Sequence, residues 1–257
     1  MRSLVAFLKK ELMEQSRTSK LVLLGILFTL FGLMSPVIAK LTPLMVEMMA
    51  ETMAQSGMIV TEVTVTALDC WAQFYKNVPL ALIVFVLMES SIFTREFESG
   101  SLLLSLTKGL DRYKVVVAKT TVLLTLWTVG YWLCFGITYA YSVYFWDNSI
   151  VQHLWLGAVC FWLFGVMVVG LMILCSTMSG TNTSVLVGTG GVVMVTYLLG
   201  SIVSKIAKYL PTQLMDGTSL VYGKTSPEDY TAAIIITAAV TIACFAISIP
   251  VFNKKSV

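Results

Sequence analysis

Few residues in this chain could do chemistry. One acid, Glu89, lies inside an apolar run, one histidine, His153, lies between two such runs, and five cysteines are scattered from Cys70 to Cys244. A carboxylate within a membrane span can carry a proton or neutralise a buried cation. Glu89 sits close to the end of its run, so it is expected to reach water or pair with Arg95 and to anchor the loop that follows. No second buried ionisable residue is expected to act as its relay partner. A serine hydrolase needs a base beside its nucleophile, whereas His153 is expected at the outer edge of its run, away from Ser176 and Ser179. A metal site needs several His, Cys or carboxylate ligands. Cys70, Cys134, Cys160, Cys175 and Cys244 show no Cys-x-x-Cys spacing, and four of them sit in apolar runs as small hydrophobes; Cys70 alone is expected to be exposed. No Gly-x-x-x-x-Gly-Lys-Ser/Thr phosphate loop occurs. Gly188, Gly190 and Gly191 lie in an apolar run with no lysine after them and are expected to let spans pack closely. The chain is therefore expected to have no catalytic residue, no metal and no cofactor of its own.

The elements that must position these residues follow from composition. Of 257 residues, 57% are hydrophobic and only 12% charged, and mean hydropathy is +0.86. A soluble domain carries about 25% charged residues, so a soluble globular enzyme and a disordered chain are both excluded. The net charge of +3, without basic runs interleaved with aromatics, excludes nucleic acid as a partner. A membrane-spanning helix needs about 20 apolar residues. Six stretches approach this: Leu21–Ala39, Val78–Phe93, Val115–Phe145, Leu154–Met178, Ser184–Val203 and Thr231–Val251. They are continuous rather than alternating, which argues against strands. With the N-terminus inside, 12 of the 17 basic residues face the cytoplasm. The positive-inside rule then places both termini in the cytoplasm of a multi-pass cell-membrane protein. The expected fold is all-α, with six transmembrane helices forming one domain over residues 1–257.

Around the spans, Met1–Ser16 reads as an amphipathic helix lying on the membrane. Leu4, Leu8 and Leu12 repeat at four-residue spacing beside Phe7, and Lys9, Lys10, Glu14 and Arg17 form the polar side, held by anionic lipid. The alternative is a helix packed on the protein itself. The first outer loop, Leu41–Asn77, carries Met45, Met48, Met49 and Met53 at helical spacing, which is either ordinary packing or an adaptable apolar face on which Met45 and Met49 could touch cargo. The last outer loop, 204–230, contains Pro211, Gly217, Gly223 and Pro227 and reads as short helices or a hairpin. Trp127, Tyr131 and Phe135 share one face of the third span, which either lines a path for cargo or packs against another span.

The inner loop, 94–114, has its own punctuation. Ser101 can cap a short helix, Glu96 and Glu98 precede it at the positive end of its dipole, Lys108 falls in its last turn and Gly109 can stop it. Leu102, Leu103, Leu104 and Leu106 fill its body, to be buried against spans or offered to a partner. Arg112, Lys114 and Lys119 then anchor the third span.

The run Glu96-Phe97-Glu98-Ser99-Gly100-Ser101, the leucines at 103, 104 and 106, then Arg112 and Lys119 resembles a signature of the ATP-binding-cassette type-2 permeases. Many of those have Ser-Pro after the leucines. Thr107-Lys108-Gly109 stands there instead and resembles the small permeases of Firmicutes, as does Gln73-Phe74-Tyr75-Lys76-Asn77. The resemblance covers essentially the whole chain and is nearest to subunits that export amphipathic peptides. It implies that the inner-loop helix is a coupling helix seated in a separate ATPase subunit, which binds ATP and Mg. It also implies that Glu96 and Glu98 order the loop, Gly100 and Ser101 make the turn, and Leu102, Leu103, Leu104 and Leu106 form the contact face. Arg112 and Lys119 would hold the loop at the membrane. A second permease, identical or related, and membrane lipid complete the expected partners. Two alternatives remain: a gradient-driven transporter using Glu89, and a membrane anchor or sensor that moves nothing.

Overall fold

The computed structural model describes residues 2–54, 64–98, 100, 102, 107 and 111–254. Among the described residues there are helices and no strands. In chain order they are α1 (Arg2–Arg17), α2 (Lys20–Ala54), α3 (Ala67–Glu89), α4 (Thr94–Glu98), α5 (Arg112–Phe145), α6 (Leu154–Met178), α7 (Asn182–Ile202), α8 (Ser204–Ala207), α9 (Gly217–Val221) and α10 (Thr231–Lys254). Among the described residues six helices are long and apolar enough to cross a membrane: α2, α3 with its extension into α4, α5, α6, α7, and α10 with the turn before it. The chain is an all-α, six-span membrane protein.

α6 is the central post. Nearly three-quarters of its apolar stretch is buried, against about a tenth for α7, and it packs against α10, α5, α7 and α9. α2 packs on α5 and α3. There Phe28, fully buried, meets Phe85 and Trp127, and the Thr138 hydroxyl donates to the Gly32 carbonyl at 2.9 Å. Such a bond joins two spans where lipid offers no partner.

Two boundaries differ from the sequence reading. The first span does not end at Ala39: α2 runs on to Ala54 through Pro36 and Pro43, so the methionine segment continues the span rather than forming a separate loop element. Lys40, which looked like its end, lies 3.8 Å from the centroid of the Phe145 ring, a cation–π contact that accommodates the charge. α3 begins at Ala67, not Val78. A capping box sets its start, with the Thr66 N–H donating to the Asp69 carboxylate at 2.8 Å, which satisfies amides that would otherwise lack partners. Because α3 reaches back this far, Cys70 is buried, correcting the expectation of an exposed thiol.

Both termini lie at one end of the bundle. The Lys114 ammonium donates to the Ser3 hydroxyl, and Arg112 donates to the carbonyls of Phe252 and Asn253 at 3.4 and 3.2 Å, meeting the acceptors at the close of α10. At the far end, residues 204–230 fold into short helical turns, as their proline and glycine spacing implied. Asp216 starts α9 by accepting from the Ser219 N–H at 3.2 Å.

Candidate functional site

At the end bearing the termini, α1 rests on the bundle with acids turned inward. Leu4, Phe7, Leu8, Glu11 and Gln15 share one helical face; Phe7, Glu11 and Gln15 are buried, while Val5, Leu12 and Met13 are exposed. The acidic residue points at Lys119 of α5, itself 1% exposed. The Lys119 ammonium lies 3.0 Å from Glu11 Oε2 and 2.9 Å from Glu96 Oε2, and donates to the Ile92 carbonyl at 2.9 Å. The Phe7 and Phe93 rings flank it with centroids at 6.0 and 5.5 Å. An ammonium out of water needs this many partners to offset desolvation. Lys119 therefore joins α1, α4 and α5 inside the protein.

Lys10 closes the cluster from the rim. Its ammonium pairs with Glu11 and Glu14 at 3.0 Å each and with Glu96. Burial alone would lower its pKa, but the surrounding carboxylates, Glu96 foremost, outweigh burial and hold it above the ordinary lysine range. Glu11, Glu14 and Glu96 are close enough together to hold a cation, and the Lys10 ammonium bonds to all three.

Glu89 stands one layer deeper. It is fully buried, so it does not reach water, and the cation beside its carboxylate is Lys20 at 3.8 Å, whereas Arg95 is exposed. The Gln15 amide donates to Glu89 Oε2 at 2.7 Å, and the Lys20 ammonium donates to the Met88 carbonyl at 3.0 Å. Gln15 and Lys20 flank the turn between α1 and α2, so Glu89 fastens that turn to the end of α3.

Of the expected inner-loop residues, Glu96, Arg112 and Lys119 each hold a tertiary contact, but with different partners. Glu96 and Lys119 bond each other, while Arg112 binds the end of α10. Leu102 is buried. Gly100 has a φ of +66°, a left-handed turn that suits glycine, and its N–H donates to the Phe97 carbonyl at 3.2 Å. Ser101, Leu103, Leu104, Leu106, Lys108 and Gly109 lie outside the described residues, as do the side chains of Glu98 and Met49. Glu11 and Gln15 were missed by the sequence reading. Their signal was present: two polar residues at i, i+4 on the leucine face of α1 imply a polar counterpart beneath.

The face carrying Trp127, Tyr131 and Phe135 is filled by protein in this conformation. All three are at most 2% exposed. The Trp127 indole donates to the Trp162 carbonyl at 3.1 Å and the Tyr131 hydroxyl to that of Ala158 at 2.8 Å. Gly165 leaves the room for Trp127: an added Cβ would stand 2.1 Å from its ring. Met45 is exposed, on the stretch of α2 beyond Lys40. A different place is open. An apolar cavity of about 360 Å³ lies between α3, α6 and α7, bounded by Leu82, Val86, Phe164, Val193 and Tyr197. Thr189 lines it, 1% exposed, and its hydroxyl has no hydrogen-bond partner among the described residues. Gly190 also lines the cavity and, like Gly191, has no atom of the described residues within 4 Å of where a Cβ would stand. These two glycines leave space instead of packing spans together, while Gly188 does meet the Cys175 sulfur, at 3.0 Å.

Comparison with known proteins accords with this architecture. Residues 5–257 match the family model described as ABC-2 family transporter protein. No curated protein and no solved structure matches the chain. A match running from α1 through the polar cluster to the end of α10 covers the whole bundle, and the chain belongs to the ABC-2 family of transporter proteins, the membrane components of ATP-binding-cassette systems.

Proposed function

We propose that this chain is the permease subunit of an exporter for amphipathic or apolar cargo, peptide in the first instance, driven by ATP hydrolysed on a separate subunit. In this reading the end bearing the termini is cytoplasmic, and the leucine-rich segment after Gly100 seats in the ATPase. ATP and Mg belong to that partner, and two permeases, identical or related, enclose the path in the cell membrane.

The observation that carries the reading is the mounting of the inner loop. α4, which leads into it, is tied through Glu96 and Lys119 to α1 and α5. A push on the loop is therefore delivered to two further helices instead of being absorbed by a flexible connection, which suits a transition between two packed arrangements. The cargo class rests on the cavity beside Thr189: apolar walls that include the Thr189 hydroxyl, without a partner among the described residues, and the Tyr197 side chain suit a molecule that is largely hydrophobic yet carries hydrogen-bonding groups.

The test is affinity capture of the tagged chain from its native membranes, followed by identification of the soluble subunit. Capture of an ATP-binding-cassette ATPase is expected, and its loss in Leu103→Asp or Leu104→Asp. If transport instead persists without any ATPase and is abolished by Glu89→Gln in an assembled protein, the chain is a gradient-driven transporter. Glu89 is held by Gln15 and Lys20, which supports a fastening role over proton carriage.

A further inference from the structure

The packing of α1 leaves its second face unexplained. With Glu11 and Gln15 turned into the bundle, the outward face presents Val5, Lys9, Leu12, Met13 and Ser16, with Arg17 beside it, all exposed. Lys9 lies among its apolar residues and Arg17 at its edge, while the acids of α1, Glu11 and Glu14, are engaged with lysines in the cluster. An exposed face that mixes apolar and basic side chains and carries no free acid, beside the first residue of a membrane span, fits the headgroup layer of an anionic leaflet. The connection to α2 is short: Thr18 bonds back to the Glu14 carbonyl at 2.8 Å and Ser19 turns the chain with a φ of 57°. α1 is thus held to Lys119 on one face and leaves the other exposed.

We propose that α1 is a membrane-reading arm: its outward face takes the anionic leaflet, and the Glu11–Lys119–Glu96 contacts pass its position to α4 and so to the inner loop. Anionic lipid would then regulate the geometry of the loop directly. The inference goes beyond the exporter reading and needs neither nucleotide nor a partner chain, so either can fail without the other.

The full chain in lipid nanodiscs tests it by hydrogen–deuterium exchange. Phosphatidylcholine alone is compared with phosphatidylcholine mixed with phosphatidylglycerol, and inorganic phosphate is the control for a free anion. Each basic residue at an anionic surface favours the bound arm by about fivefold. Exchange over residues 2–17 and over 94–98 is expected to slow together by about 25-fold, the product for Lys9 and Arg17, with phosphatidylglycerol and not with phosphate. Lys9→Gln with Arg17→Gln, both exposed, should remove the response in both segments. Glu11→Met leaves Lys10 and Lys119 balanced by Glu14 and Glu96, and should keep the response in 2–17 while losing it in 94–98; Lys119→Arg should behave as the parent. A parent protein whose 94–98 segment ignores lipid composition overturns the proposal. So does a response that survives in the Lys9/Arg17 double variant, one that reaches 94–98 undiminished in Glu11→Met, or one reproduced by phosphate. Should Glu11→Met fail to fold, the double variant still decides.

Discussion

The two ends of the bundle are closed by different chemistry. At the end bearing the termini, α1, α4 and α5 meet through charge, with Lys119 and Lys10 shared among Glu11, Glu14 and Glu96. At the far end, the closure is one of shape. Tyr75 of α3 fits between Gly157 of α6 and Gly217 of α9: a Cβ on Gly217 would stand 2.0 Å from the tyrosine ring, and one on Gly157 would stand 2.5 Å from its hydroxyl. That hydroxyl has no hydrogen-bond partner among the described residues. A charged joint fixes distance and direction and is costly to half-break. A shape joint tolerates loss of polarity but not an added methyl group.

This contrast can be broken by substitution, with the largest effect at the charged end. Lys119→Met leaves buried carboxylates short of a cation and should cost about 3–5 kcal/mol, read as a lowered thermal midpoint of the detergent-solubilised protein. A cost near zero would mean that the charges are ornaments on an apolar contact. Gly217→Ala should cost about 1–3 kcal/mol by overpacking, and Tyr75→Phe should not relieve it, because the clash is with ring carbons. Gly157→Ala should cost less and should be relieved by Tyr75→Phe, since there the obstacle is the hydroxyl; equal behaviour of the two glycines in this double-mutant comparison would refute the socket geometry. Arg112→Gln removes a cation from the close of α10 and should cost about 0.3–1 kcal/mol. Tyr75→Phe alone should change stability by less than about 0.5 kcal/mol; a larger loss would show that the far end depends on polarity after all.

Hydropathy made the six spans legible, and α6 was read at its observed limits because polar turns bound it on both sides. α2 and α3 are longer than their apolar runs for one reason. Lys40, Gln73, Lys76 and Asn77 look like loop residues in a one-dimensional reading, yet a helix continues through polar positions when other faces pack. Trp71, Phe74, Tyr75 and Val78 are all buried beside them. The motif residues of the inner loop were visible, but their partners were not. Glu96 and Lys119 stand apart in sequence, and Glu11 was hidden in a helix read as leucines in and charges out. Lys119, expected to hold the loop at the membrane with Arg112, is buried instead. The cavity beside Thr189 left no signal beyond its glycines, since a void is a property of three helices at once.

The bond between Glu11 and Lys119 also has a consequence for synthesis. The two residues are 108 positions apart, which at roughly 5–20 residues per second leaves about 5–20 s between their appearance from the ribosome. Throughout that interval Glu11 has Lys10 beside it but lacks its partner on α5, so the nascent amino terminus stays hydrated at the surface while two hydrophobic segments insert without it. Only when the third arrives can the opening residues dock, which makes their docking a late checkpoint of biogenesis although they are translated first.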